Sequence, residues 1–239
     1  IGAGSMWRYL DTGVEPAATW KSLGPGPGTP NFDDNGWSAG RAQLGYSSNP
    51  PENDEATVIG FGPDPNNKFI TSWFRKSFTL LPGEAGVLGA ASITLTVDDG
   101  ASVYLNGTEV IRENLPGVLG DNTITATTPA ILSYENFVKT YTISAGLLHD
   151  GVNILAVEVH QRAGDSSDVS FDLELVGLPT TGGGGAVTNL SGPLTADTTL
   201  TAAGGPYRVV GDVTVPVGMT LTIEPGTTLY FDQDRQLVV

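Results

Sequence analysis

One stretch, residues 92–114, narrowly constrains how this chain can fold. Apolar and polar residues alternate over residues 92–97, and a period of two is typical of a β-strand with one apolar face. The alternation resumes over residues 102–105, stops at Asn106 and Gly107, and then restarts. Asn-Gly between two alternating runs predicts a β-hairpin, because a type I′ turn needs positive φ at both central residues.

The hairpin turn also predicts a register for the two strands. It places Val103 opposite Val110 and gives Arg112 the same inward parity. A buried arginine usually has an acidic partner, and Asp98 and Asp99 lie at the same end of the hairpin. We therefore expect Asp98, Asp99 and Arg112 to form a structural ion pair. A polar ligand pocket at this rim is the alternative.

The charge balance limits the partners of the chain. Eleven basic residues against 26 acidic ones give a formal net charge of −15, which repels nucleic acid and anionic membranes. No apolar run reaches the ~20 residues of a membrane helix, and the N-terminus lacks a signal-peptide pattern, so we expect no membrane insertion. The chain has no cysteine, so it has neither disulfides nor thiolate metal sites.

The first three quarters of the chain predict an all-β fold. The 32 glycines and 16 prolines of the whole chain favour short strands joined by many turns. Besides the hairpin, period-two alternation predicts strands at residues 6–10, 71–80, 153–160 and 169–175. Antiparallel strands with one apolar face each, separated by long loops, predict a jelly-roll β-sandwich over residues 1–178.

A different pattern follows the sandwich. Residues 179–189 form a glycine-rich linker, and residues 190–239 contain short strands at tight intervals with Pro-Gly turns, as in the first coils of a parallel β-helix. A solenoid this short leaves an open, pairing-competent end. We therefore expect it to continue past Val239, or to pack on the sandwich or on another chain.

Six phrases of the sequence together resemble a known family. They are FDDNGW (32–37), GRAQLGY (40–46), WFRKSF (73–78), DDGASVYLNGTEVIREN (98–114), GVNILAVEVHQ (151–161) and SSDVSFDLEL (166–175). The chain is similar to the galactose-binding-like β-sandwich modules of large secreted or surface bacterial proteins. The resemblance covers roughly residues 5–178, and the tail is similar to the β-helix repeats that accompany such modules. It implies a non-catalytic accessory or adhesive role, often carbohydrate binding.

The outward parity of three predicted strands suggests a sugar platform. An aromatic ring can stack on a pyranose while charged groups bind its hydroxyls. The candidate ligand-binding residues are Trp73, Arg75, Glu158, His160, Asp172 and Glu174. The alternative is that Trp73 packs beneath the long loops while the charges form a solvated ion-pair ladder.

A second candidate site is a calcium-binding turn at Asp33 and Asp34. Carboxylates in a turn offer the hard oxygen ligands that calcium prefers, and galactose-binding-like modules often hold a structural calcium at such a loop. No EF-hand spacing is present, so a carboxylate that caps backbone amides is the alternative.

The sequence predicts a binding or structural role rather than catalysis. It contains no nucleophile elbow, no His-Glu-x-x-His motif and no phosphate-binding loop, so we expect no enzyme activity. The leading hypothesis is a secreted or cell-surface module that binds a polysaccharide or glycan. The rival is a structural subunit that self-associates through residues 190–239.

Asn106 and Asn189 begin glycosylation-type sequons.

Overall fold

The chain folds into two compact units. The computed structural model describes residues 1–24, 32–47, 55–133, 135, 137–179, 188–232 and 235–239, without the side chain of Ala203. The first unit comprises Ile1–Gly86 and Ala90–Gly177, and the second comprises Val87–Gly89 and Leu178–Val239. Within the described ranges, no helix is long and apolar enough to cross a membrane.

Strands dominate both units, and the helical segments are short 3-10 turns. The strands are β1 (Met6–Leu10), β2 (Ser38–Arg41), β3 (Leu44–Tyr46), β4 (Thr57–Val58), β5 (Thr71–Leu80), β6 (Leu88–Asp98), β7 (Gly100–Leu105), β8 (Thr108–Glu113), β9 (Phe137–Ser144), β10 (Gly151–His160), β11 (Val169–Pro179), β12 (Thr188–Pro193), β13 (Thr198–Leu200), β14 (Tyr207–Thr214), β15 (Leu221–Ile223), β16 (Leu229–Phe231) and β17 (Leu237–Val238). The 3-10 turns span Ala18–Lys21, Ala85–Val87, Ala145–Leu147 and Ala202–Gly204.

The first unit contains two sheets. The six-stranded sheet has the order β2-β1-β5-β10-β7-β8, and its neighbouring strands are antiparallel. The five-stranded sheet has the order β4-β3-β11-β6-β9. There β11 runs antiparallel to β3 and β9 antiparallel to β6, whereas β4 is parallel to β3. The predicted all-β antiparallel sandwich is confirmed, and β1 and β5 have the predicted bounds.

Aromatic side chains of the two sheets pack against each other. Phe171 of β11 stacks on Phe74 of β5 at 4.3 Å between ring centroids, and it meets the edge of Trp7 of β1 at 5.0 Å. All three side chains are buried, so burial of apolar area between the sheets stabilises the sandwich. Phe74 has the inward parity that the alternation in β5 predicts.

The hairpin has the predicted turn, but its register changes along the strands. Asn106 and Gly107 have φ values of 52° and 91°, and Leu105 lies opposite Thr108. A β-bulge then shifts the pairing, so that Val103 lies opposite Ile111 instead of Val110. The register predicted beyond this point is therefore wrong, because an extra residue in one strand leaves no clear signal in the alternation.

The second unit is built from parallel pairs. Strand β14 pairs with β12, β16 and β17, and β13 pairs with β15. The chain therefore alternates between two parallel sheets, and most strands pair with the strand two places further on. Of the predicted linker, residues 180–187 lie outside the described residues, and Asn189 belongs to β12.

Candidate functional site

The structure divides the predicted sugar platform between two sheets. Strands β5 and β10 of the six-stranded sheet carry Trp73, Arg75, Glu158 and His160, whereas β11 of the other sheet carries Asp172 and Glu174. The carboxylate of Asp172 accepts hydrogen bonds from the backbone N–H of Gly4 at 3.0 and 3.2 Å. The six residues therefore do not form one surface, and the predicted platform is wrong.

The outward face of β5 and β10 is itself covered. Trp73 and His160 are 0% exposed, and Glu158 is also buried. Trp73 belongs to a hydrophobic cluster with Trp20, Trp37, Tyr104, Ile154 and Ala156. Trp73 packs within this cluster, as the alternative interpretation has it, but Glu158 and His160 are buried, so the solvated ion-pair ladder of that interpretation is wrong. Parity predicts which side chains share a face, but it does not predict whether a distant loop covers that face.

Beside this cluster, Glu158 belongs to a buried polar network. Tyr104 donates its hydroxyl to Glu158 Oε1 at 2.6 Å, and His160 Nε2 lies 3.7 Å from Glu158 Oε2. Burial works to raise the pKa of Glu158, but His160, the Tyr104 hydroxyl and the charge of Lys21 together hold that pKa below its ordinary value. Burial and the Glu158 charge raise the pKa of Tyr104. The network stabilises a carboxylate inside the fold.

Arg112 has other partners than those predicted. Its guanidinium donates two hydrogen bonds to the Glu109 carboxylate, at 2.7 and 2.8 Å, and one to Asp121 Oδ1 at 2.8 Å. The bulge explains the change, because it turns Arg112 to the side of the hairpin that carries Glu109. The predicted ion pair of Asp98 and Asp99 with Arg112 is replaced by this one.

The two carboxylates of the predicted calcium turn have other roles. Asp33 Oδ1 accepts the backbone N–H of Asn35 at 3.0 Å, which is the turn cap that the sequence offers as the alternative. Asp34 forms an ion pair with the buried Arg75. A carboxylate that neutralises a buried guanidinium is poorly available to a cation. This pair of residues does not fit a calcium site.

A cavity of about 420 Å³ lies beside the Arg75–Asp34 pair. Its described lining residues come from β1, β2, β5 and the turn that carries Asp34, and they are Met6, Trp7, Arg8, Asp34, Ala39, Arg75, Lys76 and Ser77. Three of these eight are cationic and one is acidic. Arg8 and Arg75 face each other across β1 and β5, so two like charges share this wall.

The cations of this cavity are only partly satisfied by the protein. Arg8 donates one hydrogen bond to the carbonyl of Trp37 at 3.2 Å, and Lys76 donates one to the carbonyl of Met6 at 2.7 Å. Each group keeps further N–H donors. Arg75 Nη2 has no hydrogen-bond partner among the described residues. Burial lowers the pKa of Lys76. The arrangement suits an anionic ligand.

Sequence reasoning selected Arg75 but missed Arg8 and Lys76. Arg8 lies in the predicted first strand, and its pairing with Arg75 depends on which strand becomes the neighbour of β1. Lys76 has the parity opposite to that of Arg75, yet it also lines the cavity, and its Nζ donates to the Met6 carbonyl. No local pattern in the sequence marks either residue.

The asparagine of one sequon is engaged in the fold. Asn106 Nδ2 donates hydrogen bonds to the carbonyl of Leu147 at 2.7 Å and to Asn153 Oδ1 at 2.9 Å. Asn106 Oδ1 accepts the backbone N–H of Ile154 at 2.7 Å. A glycan on this amide would have to displace these contacts. Asn189, by contrast, is exposed.

The chain matches no protein-family model and no curated protein. Among solved structures, it is similar to Bacteroides uniformis β-glucuronidase 2 covalently bound to cyclophellitol-6-carboxylate aziridine, with 17% identity over 74% of this chain and 17% of that chain, and a TM-score of 0.45. A β-glycosidase from Bacteroides vulgatus matches at 16% identity over 73% of this chain and 20% of that chain, with a TM-score of 0.42. A Ruminococcus gnavus β-glucuronidase in complex with D-glucuronic acid matches at 12% identity over 74% of this chain and 29% of that chain, with a TM-score of 0.43.

The matched region is a small part of each of these proteins. This chain spans less than a third of the length of all three.

Proposed function

We propose that the sandwich is a non-catalytic, extracellular module that binds carbohydrate carrying carboxylate groups, at the cavity beside Arg75. The observation that carries the proposal is the charge of this cavity. Among the residues that the structure describes, three of the eleven basic residues line it, against one carboxylate, in a chain whose net charge is −15. A local excess of positive charge in an acidic protein attracts an anionic ligand and holds it there.

The cavity offers suitable chemistry for an acidic sugar. Guanidinium groups bind carboxylates through paired hydrogen bonds, and Arg8 keeps most of its donors for a ligand. Met6 is 48% exposed and gives apolar surface for a sugar ring. The volume of about 420 Å³ lies within the range of small-molecule sites.

Binding to a polyuronate tests this function. We expect the protein to bind polygalacturonate in isothermal titration calorimetry, more weakly as salt rises, and to bind its methyl-esterified form at least ten times more weakly. Arg8→Gln should weaken binding at least tenfold. Arg162→Gln removes an exposed charge from the same unit and is the matched control. Equal binding of the two polymers, or equal loss in both variants, would contradict the proposal.

A second candidate function is assembly through the second unit, which we propose to be the start of a parallel β-helix. Its inner residues, Leu200, Val209 and Val213, are buried. By contrast, Ile223 of β15 and Phe231 of β16 are nearly half exposed. Exposed apolar side chains on short parallel strands favour pairing with another strand or chain.

Point variants of the full chain test assembly. Wild type should self-associate with rising concentration in sedimentation velocity, and Phe231→Glu should shift it to the monomer. Val217 is fully exposed in a turn outside the strands, so Val217→Glu is the control and should leave association unchanged. A wild type that stays monomeric at every concentration removes this candidate.

A further inference from the structure

Four strand ends bring a group of acidic residues together, away from the cavity beside Arg75. In the five-stranded sheet, β3 ends at Tyr46, opposite Val169 where β11 begins. Strand β6 ends at Asp98, and its neighbour β9 begins at Phe137, opposite Val97. Asp168 and Glu135 lie just before β11 and β9, so their carboxylates reach the same end of the sheet as Asp98.

The three carboxylates lie close enough to share one ion. Oxygen atoms of Asp98, Glu135 and Asp168 all lie within 4.8 Å of one another. Calcium binds oxygen at about 2.3–2.6 Å, so ligands on opposite sides of one ion are separated by roughly this distance. Asp98 and Asp168 are only 2% and 7% exposed, whereas Glu135 is exposed.

Two neutral oxygen groups at the same place give an independent indication. No described residue forms a hydrogen bond with the hydroxyl of Tyr46 or with Oε1 of Gln161, although both side chains are more than nine-tenths buried. Such orphaned polar atoms are rare and indicate a missing partner. Gln161 comes from the end of β10 in the other sheet, and its Nε2 donates to the carbonyl of Phe69 at 2.6 Å, which leaves Oε1 free to accept.

Strand pairing and one hydrogen bond place both groups at the strand ends that carry the carboxylates. Tyr46 lies opposite Val169, the residue after Asp168. The backbone N–H of Arg162, the residue after Gln161, donates to Asp99 Oδ2 at 2.8 Å, and Asp99 follows Asp98. A phenol in this position suits a water molecule that is bound to an ion.

We infer that Asp98, Glu135, Asp168 and Gln161 form a calcium site at this end of the sandwich, with Tyr46 as a partner of a metal-bound water. All the donors are oxygen atoms, three of them from carboxylates, and this set suits calcium better than a nitrogen- or sulfur-preferring metal. Magnesium requires a tighter octahedron and holds its own waters, so it should bind more weakly. The exposed Glu135 lies on the solvent side and leaves the ion a path of entry.

Calcium titration of the EDTA-treated full chain tests the inference. We expect one ion per chain in isothermal titration calorimetry. We also expect a rise in melting temperature of about 5–10 °C at a hundredfold excess over the dissociation constant. No binding heat together with no thermal shift would overturn the proposal. The proposal would also be overturned if the melting temperature in EDTA rises between pH 7 and pH 5 and calcium causes no further rise. In that case a proton shared between the carboxylates takes the place of the ion.

Variants separate this site from other acidic groups. Asp168→Asn should abolish the thermal response, and Asp165→Asn, an exposed acid three residues away, should retain it. Because Asp168 is buried and its variant can fail to fold, Glu135→Gln provides the second arm and should weaken calcium at least tenfold. Asp33→Asn should respond like wild type. If calcium raises the melting temperature of Glu135→Gln as much as that of wild type, or no longer raises that of Asp33→Asn, the ion binds elsewhere.

Discussion

Replacing Arg112 by methionine tests the ion pair at the base of the hairpin. The Arg112 and Glu109 side chains are 5% and 3% exposed, and two hydrogen bonds of 2.7 and 2.8 Å join them. Methionine keeps much of the length of the arginine stem but removes the charge. Glu109 then stays buried, with Ser102 Oγ at 2.5 Å and the N–H of Gly120 as its remaining donors.

The expected cost follows from the uncompensated carboxylate. Removing one partner of a buried pair typically costs about 3–5 kcal/mol, because the other charge remains without solvent or counter-charge. For a domain of this size the melting temperature should fall by roughly 6–20 °C. Removing both charges in Glu109→Leu/Arg112→Met should recover part of the loss, since no isolated charge is then buried.

Thermal unfolding followed by circular dichroism measures the effect. Lys139→Met is the matched control, because Lys139 is 49% exposed and pairs with Glu113 at 3.0 Å on the surface. Such a pair is worth about 1 kcal/mol or less. If Arg112→Met melts within about 2 °C of Lys139→Met, the guanidinium is not a structural element and the argument fails. A double variant less stable than Arg112→Met would contradict the stated cause.

Three further predictions concern the sandwich. Trp73→Ala should lower the free energy of unfolding by about 3–5 kcal/mol in urea titrations, because a fully buried indole leaves a cavity, and a change below ~1 kcal/mol would contradict its place in the cluster. The pKa of Glu158 in the folded protein lies below its ordinary value, so the Glu158 carboxylate stabilises the fold above about pH 4.5, and this stabilisation is lost as the pH falls through the folded pKa. In Glu158→Gln, the free energy of unfolding should therefore depend less on pH in this range. Gly45→Ala should unfold or severely destabilise the protein, because the new Cβ would lie 1.8 Å from the carbonyl oxygen of Val169; Gly36→Ala, with nothing within 4 Å, should melt like wild type.

Local sequence signals predicted the strands well because strand and turn chemistry is local. Strand β5 has the predicted bounds, and the Asn106-Gly107 turn has the required positive φ values. Parity also predicted that Phe74 points to the core between the sheets. The bulge was missed, because one additional residue in β8 changes the register without a distinctive residue type.

The sites were predicted less well because they depend on distant segments. Trp73 and His160 have the outward parity that the sequence indicates, but the cluster containing Trp20 and Trp37 buries Trp73. Likewise, Asp98 and Asp168 are 70 positions apart and meet only because β6 and β11 are neighbours in one sheet. Pairing of non-consecutive strands is a property of the whole fold, and no periodicity within either strand encodes it.

The loops over β5 and β10 form a third layer, and this layer decides where the molecule can meet a partner. The centre of a sheet is the usual platform for an extended ligand, but here tryptophan rings occupy it from within the same chain. Clusters of charged side chains, by contrast, lie at the perimeter, in the cavity beside β1 and at the ends of β6 and β11. A partner of the six-stranded sheet should therefore contact its rim, and changes in rim loops should alter recognition without disturbing the sheet beneath.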